Sequence, residues 1–264
     1  MRNLVRDKLD RHEIVLGMMH FTGNPMLVEV MAAAGLDFAI IDLEHSPIDL
    51  GTAAHVVRAA DAAGLTPFVR VPEVDAGLIK KMLNVGARGI VIPHADAAAC
   101  EAAIAAAYFP PEGARGSCPA IRAARYSEPD WPAFTARANR DVMLIPLIEE
   151  REVFEDFERL AAMPELDVFF IGPFDLSISL GVPGACFDDP AMAAALERIV
   201  GVARTHGKYV MTSVGEVIDT DYARTILAQG VQMISYSADA LVFLEACRRI
   251  VGLKAFGEGV GSGA

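Results

Sequence analysis

The stretch Phe38-Ala39-Ile40-Ile41-Asp42-Leu43-Glu44-His45 runs through apolar residues and ends in acid and imidazole. Three further runs close the same way. Pro67-Phe68-Val69-Arg70 ends in a guanidinium, Met143-Leu144-Ile145-Pro146-Leu147-Ile148-Glu149 in a carboxylate, and Val168-Phe169-Phe170-Ile171-Gly172-Pro173-Phe174-Asp175 in another. A charge within a buried strand must be paired or neutralised, so strands seldom carry one mid-run. Four runs with charge only at the carboxyl end put those groups on one rim. That is the pattern of a parallel barrel enzyme.

Working outward, apolar β-leaning segments alternate with alanine-rich helical ones along the whole chain, the signature of βα units around a parallel sheet. The pattern predicts strands near 14–20, 38–44, 66–71, 89–93, 142–148, 168–172, 208–213 and 232–236. It predicts helices over 25–34, 49–63, 75–85, 96–107, 151–161, 190–206, 219–228 and 238–252, with a short one near 130–139. Asp75, Asp96, Asp219 and Ser237 stand where helix N-caps belong. Gly35, Gly64, Gly86, Gly207 and Gly230 stand where helices stop. The expected fold is a (β/α)8 barrel in one domain over residues 1–256, followed by a glycine-rich tail, 257–264, with too little side chain to pack. At 264 residues the chain matches the roughly 250 typical of such barrels. Between Pro93 and Glu149 the spacing doubles, leaving room for a long irregular segment from Phe109 to Tyr126. A loop of that length in a compact domain is usually functional.

Bulk properties narrow the function. The formal charge is −12 and the pI about 4.9, which disfavours nucleic acid and anionic membranes as partners. No uncharged apolar run reaches the ~18 residues of a membrane span. Hydrophobic residues still make up 53%, so surplus apolar surface is expected to be covered by other subunits. Cys100, Cys118, Cys186 and Cys247 show no metal or disulfide spacing. The amino terminus lacks the apolar core of a secretory signal. A cytoplasmic protein is expected.

Two carboxylates leaving adjacent strands, Glu149 and Asp175, repel unless a cation lies between them. A hard divalent ion suits such a pair, with water and substrate oxygens completing the shell. Equally, Glu149 can be the charged start of a helix, favoured there by the dipole. His45, with Asp42 three residues before it, is a candidate base, an imidazole whose tautomer a carboxylate fixes. The alternative is a histidine at a helix start. Arg70 offers fixed donors to a carboxylate or a developing oxyanion, or else closes the barrel end as a salt bridge. Lys208 falls on the opposite rim and Lys80 and Lys81 fall mid-helix, so carbanion chemistry here needs a metal rather than a Schiff base.

Asp42-x-Glu-His45-x-Pro47, Arg70-Val-Pro, Tyr108-Phe-Pro-Pro-x-Gly-x-Arg-Gly116, Ile148-Glu149-x-Arg151-Glu152 and Phe170-Ile-Gly-Pro-x-Asp175-Leu-Ser177 together resemble the HpcH/HpaI-type class II, metal-dependent pyruvate aldolases. The resemblance implies a barrel whose eighth helix is exchanged between subunits, commonly in a hexamer built as a trimer of dimers. It implies a divalent metal, Mg²⁺ or Mn²⁺ with Co²⁺ as a further candidate, on Glu149 and Asp175. It also implies Arg70 at the enolate oxygen and His45 paired with Asp42 for proton transfer, acting on small molecules, a 2-oxo acid and an aldehyde. Leu147, Gly172, Pro173, Leu176 and Ser177 then line the oxo-acid site with Arg70, with backbone N–H groups near Leu176-Ser177 facing the substrate carboxylate. Glu44 and Asn84 stand behind the catalytic groups. The chain departs from the pattern twice: Leu147 stands where the family often has glutamine, and Asn84 where it often has aspartate. Related possibilities are a CoA-ester lyase on the same barrel, a decarboxylase of oxaloacetate, and a non-catalytic barrel that binds a metal and an oxo acid.

Overall fold

The computed structural model describes residues 2–215 and 219–253; the glycine-rich tail lies outside them. Eight parallel strands close a barrel in chain order. They are β1 (Val15–His20), β2 (Phe38–Asp42), β3 (Thr66–Arg70), β4 (Gly89–Ile92), β5 (Met143–Ile148), β6 (Val168–Ile171), β7 (Tyr209–Val214) and β8 (Met233–Ala238). Around them run α1 (Leu4–Leu9), α2 (Pro25–Ala33), α3 (Leu50–Ala63), α4 (Ala76–Val85), α5 (Ala97–Ala107), α6 (Trp131–Asp141), α7 (Arg151–Glu155), α8 (Phe157–Ala161), α9 (Pro173–Ser179), α10 (Pro190–Thr205), α11 (Thr220–Ala228) and α12 (Asp239–Val251). All eight expected strands form, each within two residues of its predicted bounds.

The strands read as near-continuous apolar runs because both faces are covered. One face fills the barrel with Met19, Phe38, Ile40, Phe68, Val91 and Phe170. The other packs beneath the helices, as Ile41, Val69, Ile90 and Ile171 do. Alternation along the strand separates the two sets. The barrel floor depends on a glycine: a Cβ at Gly17 would stand 2.4 Å from the Phe38 ring. Asp75, Asp96 and Asp219 cap their helices as expected, accepting from Leu78, Ala99 and Tyr222 N–H groups. All five predicted stop glycines have positive φ.

Three details differ from the sequence reading. The amino terminus folds as α1, which Asn3 anchors by donating to the Arg88 and Asp141 carbonyls; Val5 and Leu9 close the amino-terminal end of the barrel interior. The helix expected over 151–161 is broken into α7 and α8 at Asp156. Ser237 is not a cap: it has φ +59°, and α12 begins at Asp239 after Ala238.

Asp239 explains the third difference. Its carboxylate accepts from its neighbour's Ala240 N–H, from Phe21 and Thr22 N–H and from the Thr22 hydroxyl, with Nδ1 of the buried His20 at 2.9 Å. One side chain thus ties the start of α12 to the β1–α2 loop. Burial alone would raise this carboxyl, but the His20, Thr22 and Phe21 hydrogen bonds prevail and hold it well below the usual carboxylate range. A depressed carboxylate stabilises the fold above its unfolded pKa, about 3.9, and loses that contribution as pH falls through the folded value. Asp239→Asn is expected to cost about 1.5–3 kcal/mol at pH 7. In urea titrations the gap to the parent should narrow below about pH 4; an equal gap at pH 7 and pH 3 would contradict this.

Candidate active site

β2 and β3 pair with Asp42 directly opposite Arg70. Each lies two residues beyond an interior residue, Ile40 and Phe68, so both side chains enter the barrel mouth. The Arg70 guanidinium donates from Nε to Asp42 Oδ1 at 3.0 Å and from Nη2 to Oδ2 at 2.7 Å. Its Nη1 lies 3.1 Å from Glu44 Oε2. A fork held on two carboxylates has little freedom left. The chain then turns around Asp42, whose Oδ1 also accepts the N–H groups of Glu44 and His45.

This arrangement corrects one expectation. Asp42 does not pair with the His45 imidazole, because the guanidinium and two backbone amides take its lone pairs. The His45 ring instead stands largely exposed at the mouth, with Nε2 3.6 Å from Glu44 Oε2. Glu44 is therefore the carboxylate that faces both Arg70 and His45.

Glu149, the residue after β5, is buried, and its Oε1 accepts the His94 N–H at 3.0 Å. His94 has φ +47°, and its Nδ1 lies 2.7 Å from Glu150 Oε1. Nothing in the sequence around His94 signals this contact; its left-handed backbone turns the amide onto Glu149. Burial pushes the Glu149 carboxyl up, and the nearby charges of Glu44 and Asp175 push the same way, against the His94 hydrogen bond. The Glu150 hydrogen bond draws the His94 imidazole up, with the Glu149 and Glu150 charges adding to it against partial burial.

Asp175 comes from the first turn of α9 rather than from the strand. Gly172, which caps α9, leaves the space that the pair requires: a Cβ there would stand 3.2 Å from Glu149 Cβ and 3.4 Å from both Glu149 Oε2 and Leu147 Cδ1. Like charges converging beside an open cradle fit a divalent cation. Among the described residues no three His, Cys, Asp or Glu side chains gather as a closed metal site. An ion here would rest on two carboxylates and take its other oxygens from water or ligand, as Mg²⁺ commonly does.

The remaining expected residues divide. Leu147 joins the apolar barrel interior beside Gly172, and Pro173 opens α9. Leu176 and Ser177 do not offer free donors. The Leu176 N–H already bonds Gly172 O, while the buried Ser177 hydroxyl donates to Phe174 O and accepts from Gly184 N–H. Only the Phe174 and Asp175 amides precede the first helical bond. Asn84 lies in the last turn of α4, bonded to Arg115 Nη2 at 2.8 Å; it is near the opposite rim rather than behind the catalytic groups at the mouth. Lys208 is also there, donating to Met163 O.

A closed parallel barrel whose mouth sets a clamped guanidinium beside converging carboxylates defines an enzyme that stabilises negative charge as it builds on a substrate oxygen. The chain belongs to the HpcH/HpaI aldolase/citrate lyase family, which residues 16–246 match, and is a lyase of the aldolase type. A hydroxypyruvate/pyruvate aldolase of Paraburkholderia phytofirmans is 33% identical over 94% of this chain and 95% of its own length. A 5-keto-4-deoxy-D-glucarate aldolase of Klebsiella pneumoniae is 29% identical over 94% and 95%. A crystal structure of a family member from Burkholderia cenocepacia superposes with a TM-score of 0.87 at 32% identity, covering 96% of this chain and 99% of that one.

Removing Asp42 leaves a buried guanidinium with only Glu44. Asp42→Ala is expected to destabilise the protein by about 3 kcal/mol, the lower end for breaking a buried ion pair. Urea denaturation measures it, and a change below about 1 kcal/mol, the worth of an exposed pair, would show that Arg70 does not depend on Asp42.

Proposed function

We propose that this enzyme cleaves a 4-hydroxy-2-oxo acid to pyruvate and an aldehyde with the help of a divalent metal held by Glu149 and Asp175. The observation that carries the reading is the charge at the mouth: a buried Glu149 that feels the charges of Asp175 and Glu44, with Glu44 and Asp42 also holding Arg70. When bound, a divalent ion supplies Lewis acidity at the keto oxygen and offsets the two carboxylates. Candidates are Mg²⁺, Mn²⁺ and Co²⁺.

The chain's own groups supply the rest. The Arg70 N–H groups that Asp42 and Glu44 leave over would favour the enolate oxygen above the ground-state carbonyl; that difference lowers the barrier. His45, exposed beside Glu44, takes the proton of the 4-hydroxyl. The C3–C4 bond then breaks, its electron pair passes into the enolate, and the 4-carbon leaves as an aldehyde. Return of a proton to C3 gives pyruvate. Leu147, where a polar donor would otherwise touch the oxo acid, leaves an apolar wall beside Gly172. The substrate is a hydroxylated oxo acid of the kind named for the relatives; the choice among aldehydes falls to the loops above the mouth.

The CoA-ester alternative finds less support, because Arg115 and Arg125 lie against the opposite rim rather than the mouth. The reading extends to a homo-oligomer, a hexamer built as a trimer of dimers with α12 exchanged between subunits. Of the α12 residues only Asp239 is buried, while Phe243 and Ile250 are 72% and 66% exposed. No described helix is long and apolar enough to cross a membrane, and four free cysteines suit a reducing cytoplasm.

Purified protein is expected to release pyruvate from a panel of 4-hydroxy-2-oxo acids, to stop with a chelator, and to recover with Mn²⁺ or Mg²⁺. His45→Ala should cut kcat by about 10²–10⁴-fold while leaving metal affinity within about threefold, under 1 kcal/mol. Turnover indifferent to chelation would contradict the metal, and equal loss of rate and metal affinity would contradict the role of His45.

A further inference from the structure

We propose that a cavity on the amino-terminal rim, walled by Arg88, Arg115, Arg125 and Arg137, binds a small multiply charged oxyanion. The cavity has a volume of about 240 Å³ and lies between the end of α4, the segment leading into β5, the long loop and α6. Arg88 immediately precedes β4, and Asp141 and Val142 precede β5. The site is therefore at the opposite end of the barrel from Glu149.

Four guanidinium groups meet two carboxylates, Glu128 and Asp141, in this wall. In a chain of net charge −12, such a local excess of positive charge runs against the overall field. The carboxylates are also engaged. Arg140 holds Asp141 and Arg137 approaches Glu128 at 3.4 Å, while Arg88 is turned to Asp61 at 3.2 Å.

Arg115 is the decisive group. The residue is only 4% exposed, yet no carboxylate pairs with it. Nη2 donates to Asn84 Oδ1 at 2.8 Å, Nη1 reaches Ala107 O at 3.5 Å, and Nε has no hydrogen-bond partner. Its guanidinium carbon sits 4.5 Å from the centre of the Phe109 ring. Burial holds its pKa down to about 10, so the charge persists at neutral pH. A buried cation without a counterion is costly unless something anionic joins it. An aspartate at position 84 would neutralise it from within; the asparagine leaves the charge for a ligand.

Guanidinium forks match the oxygen spacing of phosphates and carboxylates. The volume is below the ~300 Å³ at which pockets for drug-sized ligands begin, which suits inorganic phosphate or a short dicarboxylate. Such a ligand would pin the long loop, through Arg115 and Arg125, to α6 through Arg137.

Isothermal titration of the metal-free full chain, at constant ionic strength set with chloride, tests this with phosphate, sulfate and malonate as probes. One saturable site per chain is expected, unaffected by pyruvate or Mn²⁺. Tighter binding of phosphate than malonate assigns a tetrahedral oxyanion, and the reverse a dicarboxylate. Arg125→Gln and Arg137→Gln, both at exposed positions, should each weaken binding about tenfold, and Glu128→Gln should tighten it. Arg115→Gln should abolish it; should that variant fail to fold, the exposed-position variants decide. No saturable binding, or binding indifferent to Arg125, Arg137 and Glu128, overturns the proposal. So does displacement by pyruvate, which would put the anion at the catalytic mouth. None of these outcomes depends on aldolase turnover, so the two readings fail separately.

Discussion

The Asp42–Arg70 pair is the constraint on which the mouth of this barrel depends. A guanidinium at that depth is tolerable only because one carboxylate takes it bidentately and Glu44 takes it from the side. Desolvation makes the pair poor as a source of net stability. In the proposed function its value is positional, since the donors would be oriented before a ligand arrives and need no reorganisation as charge develops. Asp42 also accepts the amides of Glu44 and His45, so the same carboxylate shapes the turn that presents the imidazole.

Across the mouth the electrostatics run the other way. Glu149 is buried near Asp175 and Glu44; burial first, and then those two charges, oppose its ionisation, while His94 favours it. The compensation comes from His94, through its backbone amide and its imidazole, and does not outweigh burial. Such a carboxylate suits the cation of the proposed function, with Gly172 leaving room beside it. In the proposed function, donors on β3 and acceptors after β5 would flank the keto oxygen. The opposite rim repeats the theme with the sign reversed, Arg115 standing buried without a carboxylate.

Much of this was legible in the chain. Buried parallel strands leave long apolar runs, and a charge at the end of such a run can only be at the rim; Asp42, Arg70 and Glu149 were found that way. Asp175 was found by the same rule although it belongs to a helix, because Gly172-Pro173 ends the strand just before it. What escaped was partner choice. Spacing along β2 brought Asp42 and His45 together in sequence, but the register that sets Asp42 opposite Arg70 is a property of two strands far apart in the chain. His94 escaped because a left-handed backbone at a non-glycine residue has no sequence signal. Ser237 was mistaken for a cap because a cap is judged locally, whereas Asp239 is fixed by a loop more than two hundred residues away. Leu176 and Ser177 were misjudged by the starting point of one short helix.

The proposed chemistry depends on a dication held by two acidic side chains, and the most direct measurement is a crystal structure with Mn²⁺ and pyruvate using anomalous scattering. A manganese peak bridging Glu149 and Asp175, with the pyruvate keto oxygen between it and the Arg70 guanidinium, is the predicted result. Glu149 and Asp175 turned apart with no peak between them, or pyruvate bound away from Arg70, would contradict the account.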